Sequence, residues 1–531
     1  MVTDADARDR RRVATTRGRY RPGMTRVAIA GVAALGVVAG AAPARAEPVA
    51  VLVVPAQKVW AQADRGAVGL FVPGAGATVT REEAVRSLTT GRSVSNLAGR
   101  EEREPLIEIG TRPAPLTIYV ALPPAGRHHN VTRYPVAIVG GGYHGVLDSS
   151  STRLPGLVSV ADVAPIAVDL ERGTKPVLGF RPGSAASLRE LDRKLTRAHD
   201  SRGAATVGLA ALLVCFTAAA FATRSRRVAR TALLAALGAI SIALLLSAAG
   251  VRAPLAVGLA VAAGGAAVAF VAGRREVLFA PAVALFLAGF LVVLAAFPET
   301  NALAAIGPHP DGGVRFFGVT NQVETLLLAP VLAAAAASRR LFATVGLLAL
   351  VTLGWSRAGA DGGGVVVVLA GLAALVVQDR VRRISVVRVA VAGAAVVVLA
   401  FLLVGIDAVL GGSSHVTTAV GGGPSGLADD LGRRLDVTWA GATASWHAAL
   451  VCVLGLAVLV AIAVRAPRHR TTTAFLVALA VSLVVNDSPV DEFAWGALGA
   501  AALLAWESAS SARRSWSTVP QASPAPSRLS A

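Results

Sequence analysis

From Ala204 to Trp506 the chain alternates long apolar runs with short breaks that are basic or contain Gly and Pro. A bilayer core of about 30 Å is crossed by about 20 helical residues. Most of the runs reach or approach that length. They predict about eleven transmembrane helices, near 205–222, 231–249, 254–272, 277–297, 322–337, 341–355, 363–378, 386–405, 447–464, 472–486 and 491–506. The chain before Ala204 has a different rhythm. Ala50–Val54, Gly66–Val72, Leu116–Leu122 and Tyr134–Val139 are short runs rich in Val and Leu with turn residues at their ends, the pattern of buried strands. Thr80–Leu88 and Val158–Leu170 read as helices with polar starts, and Ser187–Ala198 as a charged amphipathic helix. Strands alternating with helices predict an α/β region with a mostly parallel sheet over 47–203. An all-α polytopic bundle over 204–507 follows it. At about 150 residues the first region is large enough for one core but small for an α/β enzyme. The tail, 508–531, is rich in Ser, Pro and Ala and is expected to be disordered.

Composition agrees with a membrane class: 54 % of residues are hydrophobic and the mean hydropathy is +0.62. The apolar residues are mainly Ala, Val, Leu and Gly, which suit closely packed helices in lipid but also follow from a GC-rich genome. A formal charge of +19 raises the question of nucleic acid, and the placement of the charge answers it. Arginines cluster at Arg8–Arg12, Arg224–Arg230, Arg274–Arg275, Arg339–Arg340, Arg380–Arg383 and Arg465–Arg470. If the first helix runs from outside to inside, each of these clusters falls in the cytoplasm, together with Arg513 and Arg514, so the charge reports topology. The expected partner is the bilayer, with no nucleic acid. Residues 47–203 are expected outside and the C-terminus inside.

The N-terminus supports that orientation. An Arg-rich stretch to Arg26 leads into apolar Val27–Ala42 and then Ala44-Arg45-Ala46, the layout of a secretory signal. Cleavage after Ala46 and an uncleaved anchor both deliver residue 47 onward to the outside, and Met24 is an alternative start. The two cysteines, Cys215 and Cys452, fall in apolar runs and read as small buried hydrophobes. The exported region therefore folds without a disulfide.

With this topology the unusual polar stretches share the outer face. Pro298–Gln322 carries Arg315 and Asn321, with Glu324 just inside the next helix. The turn from Trp355 to Gly364 carries Arg357 and Asp361, and the turn after Val485 carries Asn486, Asp487, Asp491 and Glu492. A long loop, about 406–446, holds His415, Asp429, Asp430, Arg433 and Arg434. Carboxylates at membrane depth usually face a protein interior or a wet cavity. Glu324, Asp361, Asp487, Asp491 and Glu492, with Arg315, Arg357, Asn321 and Asn486, are the candidate lining of an outward pocket for a cation or a sugar or phosphate head group. Polar turns at a membrane surface are also what any polytopic chain needs. Gly362–Gly364 is no phosphate loop, because no Lys-Ser/Thr follows. Asn130-Val-Thr132 matches a glycosylation acceptor, and His128-His129 lacks metal partners at ligand spacing. No metal or cofactor is expected.

The segment Val136-Ala-Ile-Val-Gly-Gly-Gly-Tyr-His144-Gly, followed by Ser151-Thr-Arg-Leu-Pro-Gly-Leu-Val-Ser-Val-Ala-Asp162-Val-Ala-Pro165, resembles the end of an alkaline phosphatase/sulfatase-type domain. There a strand leads to Ser-Asp-His-Gly, an Arg-x-Pro-Gly stretch and a helix opening Asp-(Val/Ile)-Ala-Pro. Val51–Lys58 and Gly66–Pro73 are similar to the family's first strand and the Gly-Ala-(Val/Ile)-Gly-Leu stretch. The layout is similar to that of uncharacterised bacterial membrane proteins that join such a domain to many helices. The resemblance implies a metal-dependent hydrolase fold, and the residues depart from it. The family's first metal-binding Asp would fall near Pro55–Gln57, where there is none, and Tyr143 replaces the Asp of the Asp-His pair. Only His144 matches, and a two-metal site needs several such ligands together. Asp162 opens a helix and reads as its cap.

Two functions follow from these features. One is an envelope scaffold in which a non-catalytic phosphatase-like region binds a glycan or protein partner. The other is a membrane-embedded enzyme that acts from outside on a lipid-linked glycan precursor, ligase- or polymerase-like. A transporter ranks below both, because the helix interiors are almost wholly apolar.

Overall fold

The structure is a computed structural model and describes residues 48–93, 104–174, 176–313, 315–380, 386–409, 423–465 and 469–516. The expected signal segment, Met24 and His415 lie outside the described residues.

The N-terminal part is built on β1 (Val49–Val53), β2 (Gly66–Val72), β4 (Leu116–Val120), β6 (Tyr134–Val139), β7 (Gly145–Ser149), β8 (Leu157–Ser159) and β9 (Leu178–Arg181). They form a seven-stranded sheet in the order β1-β4-β6-β2-β7-β9, with β8 also paired to β2. A separate ribbon joins β3 (Thr78–Thr80) to β5 (Arg127–His129). The pairs β1–β4, β2–β7 and β2–β8 are parallel. The pairs β2–β6, β4–β6 and β7–β9 are antiparallel. The sheet is therefore mixed, which corrects the expectation of a mostly parallel one. The connection from β4 to β6 holds Pro123, Pro124, Gly126 and the short β5 but no helix. Without a helical crossover, β6 returns antiparallel beside β4.

Alternation along β2 divides the core into two layers. Ala67 and Phe71 pack with α2 (Arg81–Thr90) and α3 (Val163–Glu171). Val68, Leu70 and Val72 pack on the other face with α1 (Ala56–Trp60) and α4 (Ala185–Thr223). Helix α2 starts where the polar residues place it. The Thr80 hydroxyl accepts from the Glu83 amide (3.2 Å), the Glu83 carboxylate accepts from the Thr80 amide (2.7 Å), and Gly91 ends the helix in the left-handed region.

Helix α4 runs 39 residues without a break. It fuses the expected amphipathic helix and the first apolar helix into one rod. Gly203 costs a helix only about 1 kcal/mol, and no other breaker lies between Ala198 and Ala205. Leu188, Leu191, Leu195 and Ala198 pack under the sheet, and Ala205, Leu209 and Leu212 belong to the helical core.

Beyond α4 come α5 (Arg226–Ala248), α6 (Pro254–Ala272), α7 (Phe279–Ala296), the short α8 (Pro298–Ala302), α9 (Asn321–Ala337) and α10 (Phe342–Gly354). Helices α11 (Gly362–Arg380), α12 (Val386–Val409), α13 (Gly423–Thr443), α14 (Trp446–Arg465), α15 (Arg470–Val485) and α16 (Pro489–Trp516) follow among the described residues. Among the described residues, seven helices are long and apolar enough to cross a membrane, and α9, α10 and α15 are shorter apolar helices. Small residues set the packing: a Cβ on Gly208 would lie 2.4 Å from the Gly258 carbonyl oxygen, and one on Gly238 2.5 Å from that of Gly265. Two expectations change here. The stretch 406–446, expected as a loop, contains the end of α12 and all of α13, and the last helix continues to Trp516 where a disordered tail was expected from 508. Cys452 is buried, but Cys215 is exposed on α4.

The basic turns gather at the end of α4 away from the sheet. Arg226 and Arg230 reach Glu276 at 3.2 and 3.3 Å, and Arg226 Nε donates to Ser510 Oγ (3.0 Å). Arg470 pairs with Asp379 at 2.6 Å, and the amides of Thr471 and Thr472 donate to Glu507 (2.8 and 3.0 Å).

At the opposite end, the stretch between α8 and α9 is largely buried between sheet and helices. Asp311 is 2 % exposed and takes hydrogen bonds from Arg202 and from His199 Nδ1, the latter at 2.7 Å. Asn130 is fully buried, and its Nδ2 donates to the carbonyls of Gly74, Gly76 and Gly312 at 2.8, 3.0 and 3.0 Å. That side chain is a structural clasp, which removes it as a glycosylation acceptor. Arg153 donates to the Ser356 carbonyl (2.7 Å) and stacks on Phe317 at 3.9 Å. These contacts seat the sheet region on the helical part.

Candidate functional site

Three separate turns do meet at the sheet-side end of the helical part. Asp361 precedes α11, and its Oδ1 accepts from the Gly364 amide (3.2 Å), so it caps that helix. Arg315 Nη2 lies 3.9 Å from the same oxygen, close enough for charge attraction but too long for a hydrogen bond. Glu324, in the first turn of α9, accepts from Asn486 Nδ2 (2.8 Å). Asn486 also donates to Ser482 Oγ (2.9 Å) on α15. Glu324 and Asp361 both border Gly364, and Glu324 Oε1 and Asp361 Oδ2 are buried without a hydrogen-bond partner.

The Gly triplet at the start of α11 makes this knot sterically feasible. A Cβ on Gly363 would sit 2.4 Å from Asn486 Oδ1, and one on Gly364 would sit 2.8 Å from Asp361 Oδ2 and 3.2 Å from Glu324 Cγ. The glycines are there for close approach of side chains rather than for phosphate.

Glu324 is 1 % exposed, Asp361 3 % and Asn486 4 %. Four of the candidates, Arg315, Glu324, Asp361 and Asn486, thus belong to one buried cluster. Four more lie apart. Asn321 donates to Asp487 Oδ1 (3.1 Å) and Ser488 Oγ (3.0 Å) in a more exposed rim. Asp491 accepts from Trp495 Nε1 (3.2 Å) within its own helix. Arg357 is exposed on the turn before Asp361.

One further candidate, Glu492, turns inward, and one participant, Arg434, stands outside the candidate set. Glu492 is 1 % exposed, and its Oε1 is buried without a hydrogen-bond partner. It follows Asp491 by one residue, and about 100° of helical rotation sends it inward instead. Arg434 Nη1 donates to the Val485 carbonyl (2.6 Å) from α13; its signal was hidden because that stretch reads as loop. The side chains of Asp429, Asp430 and Arg433 lie outside the described residues.

The sheet region presents a sparser picture. His144 is exposed, with Nδ1 2.9 Å from the Gly142 carbonyl oxygen and its ring 4.5 Å from that of Phe180. Tyr143 is buried, its hydroxyl donates to the Leu178 carbonyl (3.3 Å), and burial pushes its pKa up to about 12. Asp162 accepts from Ser149 Oγ (2.9 Å) and from Ser151 Oγ, and closes a capping box with Ser159. Burial pushes its carboxyl above the ordinary range despite those donors. His128 and His129 lie on β5, opposite Val79 and Thr78. Among the described residues, no group of three or more His, Cys, Asp or Glu side chains is placed to hold a metal ion.

No protein-family model matches the chain, and neither a curated protein nor a solved structure matches it.

Proposed function

We propose that the chain is a multi-pass protein of the cell-envelope membrane whose phosphatase-like α/β region lies outside and serves as a non-catalytic binding cap on the helical part. The observation that carries this reading is the anchoring of the cap by Asp311. One carboxylate takes both Arg202 and His199 from α4, so the region is held as a fixed platform rather than a tethered arm. Support also comes from the hydrolase-like segment, where His144 stands exposed beside a buried, hydrogen-bonded Tyr143. A glycan or protein partner in the envelope is the ligand class this reading assigns to the cap.

The test is hydrolysis of p-nitrophenyl phosphate and p-nitrophenyl sulfate by the purified full chain with zinc, manganese or magnesium. The expected result is no turnover beyond that of His144→Ala. Metal-dependent turnover that His144→Ala abolishes overturns the reading.

The convergence of Arg315, Glu324, Asp361 and Asn486 favours a second reading, a membrane-embedded enzyme acting from outside on a lipid-linked glycan precursor. Two buried carboxyls beside a guanidinium are groups suited to general acid–base work. In that reading Asp361→Asn loses activity on the precursor while the protein stays folded. In the first reading the same variant changes stability alone.

A further inference from the structure

A cleft of about 480 Å³ opens where the sheet region meets the ends of α5, α6 and α7. Its charged lining is Arg153, Arg181, Lys194 and Arg252 against a single carboxylate, Glu299. The sign of the charge is therefore set by the walls themselves.

The four cations differ in how far they are engaged. Arg153 is held by the Ser356 carbonyl and Phe317, and keeps a left-handed backbone (φ +54°) that non-glycine residues rarely adopt. Such backbone persists only where its surroundings hold it. Arg181 pairs with Asp148 at 3.1 Å and Lys194 with Glu299 at 3.0 Å, both partly exposed. Arg252 reaches the Gly250 carbonyl with Nη1 (3.3 Å), while its Nε is buried without a partner.

Exposed apolar side chains lie in and beside the cleft. Phe297, in its wall, is 56 % exposed, and next to Arg252 in the chain Val251 and Leu255 are 38 % and 74 % exposed. A free inorganic anion has no use for that surface. An amphiphile uses both, with its charge on the guanidinium groups and its chain against the exposed faces of α6 and α7. Guanidinium groups fit phosphate oxygens in pairs, and the volume suits a headgroup larger than a bare anion.

We propose that this cleft binds the phosphate-bearing headgroup of a membrane lipid, with Arg153, Lys194 and Arg252 on the phosphate and the lipid chain leaving past Phe297 and Leu255. The site goes beyond the cap reading and stands whether or not the α/β region is catalytic.

The test uses the full chain purified into nanodiscs of equal phosphatidylglycerol and phosphatidylcholine, with the retained lipid counted by native mass spectrometry. The wild type should retain phosphatidylglycerol in preference. Arg252→Gln should lower that preference about tenfold, the scale of one lost charge-assisted contact. Glu299→Gln frees Lys194 and should raise it. Lys194→Gln lies at a partly exposed position and repeats the loss without risk to the fold. Three results overturn the proposal: a preference unchanged in both Arg252→Gln and Lys194→Gln, equal retention of the two lipids by the wild type, or inorganic phosphate that displaces phosphatidylglycerol completely, which would mark a free-anion site.

Discussion

The buried carboxyl knot and the basic cleft lie at the same end of the helical part and are built on opposite terms. In the knot, Glu324, Asp361 and Asn486 are almost fully enclosed, and Gly363 and Gly364 leave no room for even one added carbon. In the cleft, four cations surround open space and keep one carboxylate among them. A buried polar group with a partner, as Glu324 has in Asn486 and Asp361 in the Gly364 amide, fixes the relation of the elements that carry it, while Glu324 Oε1 and Asp361 Oδ2 keep none. A charge that borders open space can meet something else even where, as for Arg181 and Lys194, it keeps a part-exposed partner. The difference teaches that the carboxylates, the more conspicuous residues, hold helices α9, α11 and α15 in place. The arginines at the other site are the better mark of a ligand.

The largest expected effect comes from the seat of the sheet region. Asp311→Ala strands the buried Arg202 and should cost about 3–5 kcal/mol, as removal of one partner of a buried pair does. Unfolding of the full chain in mixed micelles measures this, and an effect below about 1 kcal/mol would mean that the pair is dispensable.

Gly363→Ala should follow, at about 1–3 kcal/mol, because its methyl group would meet Asn486 Oδ1. Gly289→Ala is the internal contrast. It lies within α7 with nothing within 4 Å of the added carbon, so it should be neutral or stabilising by up to about 1 kcal/mol. Equal destabilisation by both would break the claim that the knot is tightly closed.

The smallest effect concerns pH. Burial alone would raise the Asp311 carboxyl, but Arg202, His309 and His199 outweigh it and hold it below its ordinary value. A carboxyl with a depressed folded pKa contributes stability that is present above its unfolded pKa of about 3.9 and lost as pH falls through the folded pKa. The contribution of Asp311 should therefore stay constant from about pH 7 to about pH 4 and fall only below that. The measurement is the difference in unfolding free energy between wild type and Asp311→Asn across this range. A difference that shrinks well above pH 4 would show that the carboxyl is not held ionised by its partners.

Much of the architecture was legible because long apolar runs have few solutions. The eleven runs expected as helices are helical in the described residues, and Thr80 with Glu83 marked the start of α2. The sheet was less legible. A buried strand such as Gly66–Val72 announces its burial but not its neighbours, and the antiparallel return of β6 depended on a connection with no helix. The knot was legible in part: turns with Asp and Asn pointed to the right end of the helices. Which carboxylate faced inward turned on a single helical step, with Glu492 inside and Asp491 on Trp495. Asp311 and Asn130 gave no local signal, since their partners come from residues more than a hundred positions away in Arg202–Asp311 and Asn130–Gly312.

The most direct test of the contrast is the lipid retained by Asn486→Ala and Arg252→Gln, counted side by side in the same mixed nanodiscs. Asn486→Ala removes the bonds to Glu324 and Ser482, and should lose stability while it keeps the wild-type preference for phosphatidylglycerol. Arg252→Gln should keep its stability and lose the preference. If instead Asn486→Ala releases the lipid and Arg252→Gln holds it, the knot is the working site and the account is wrong.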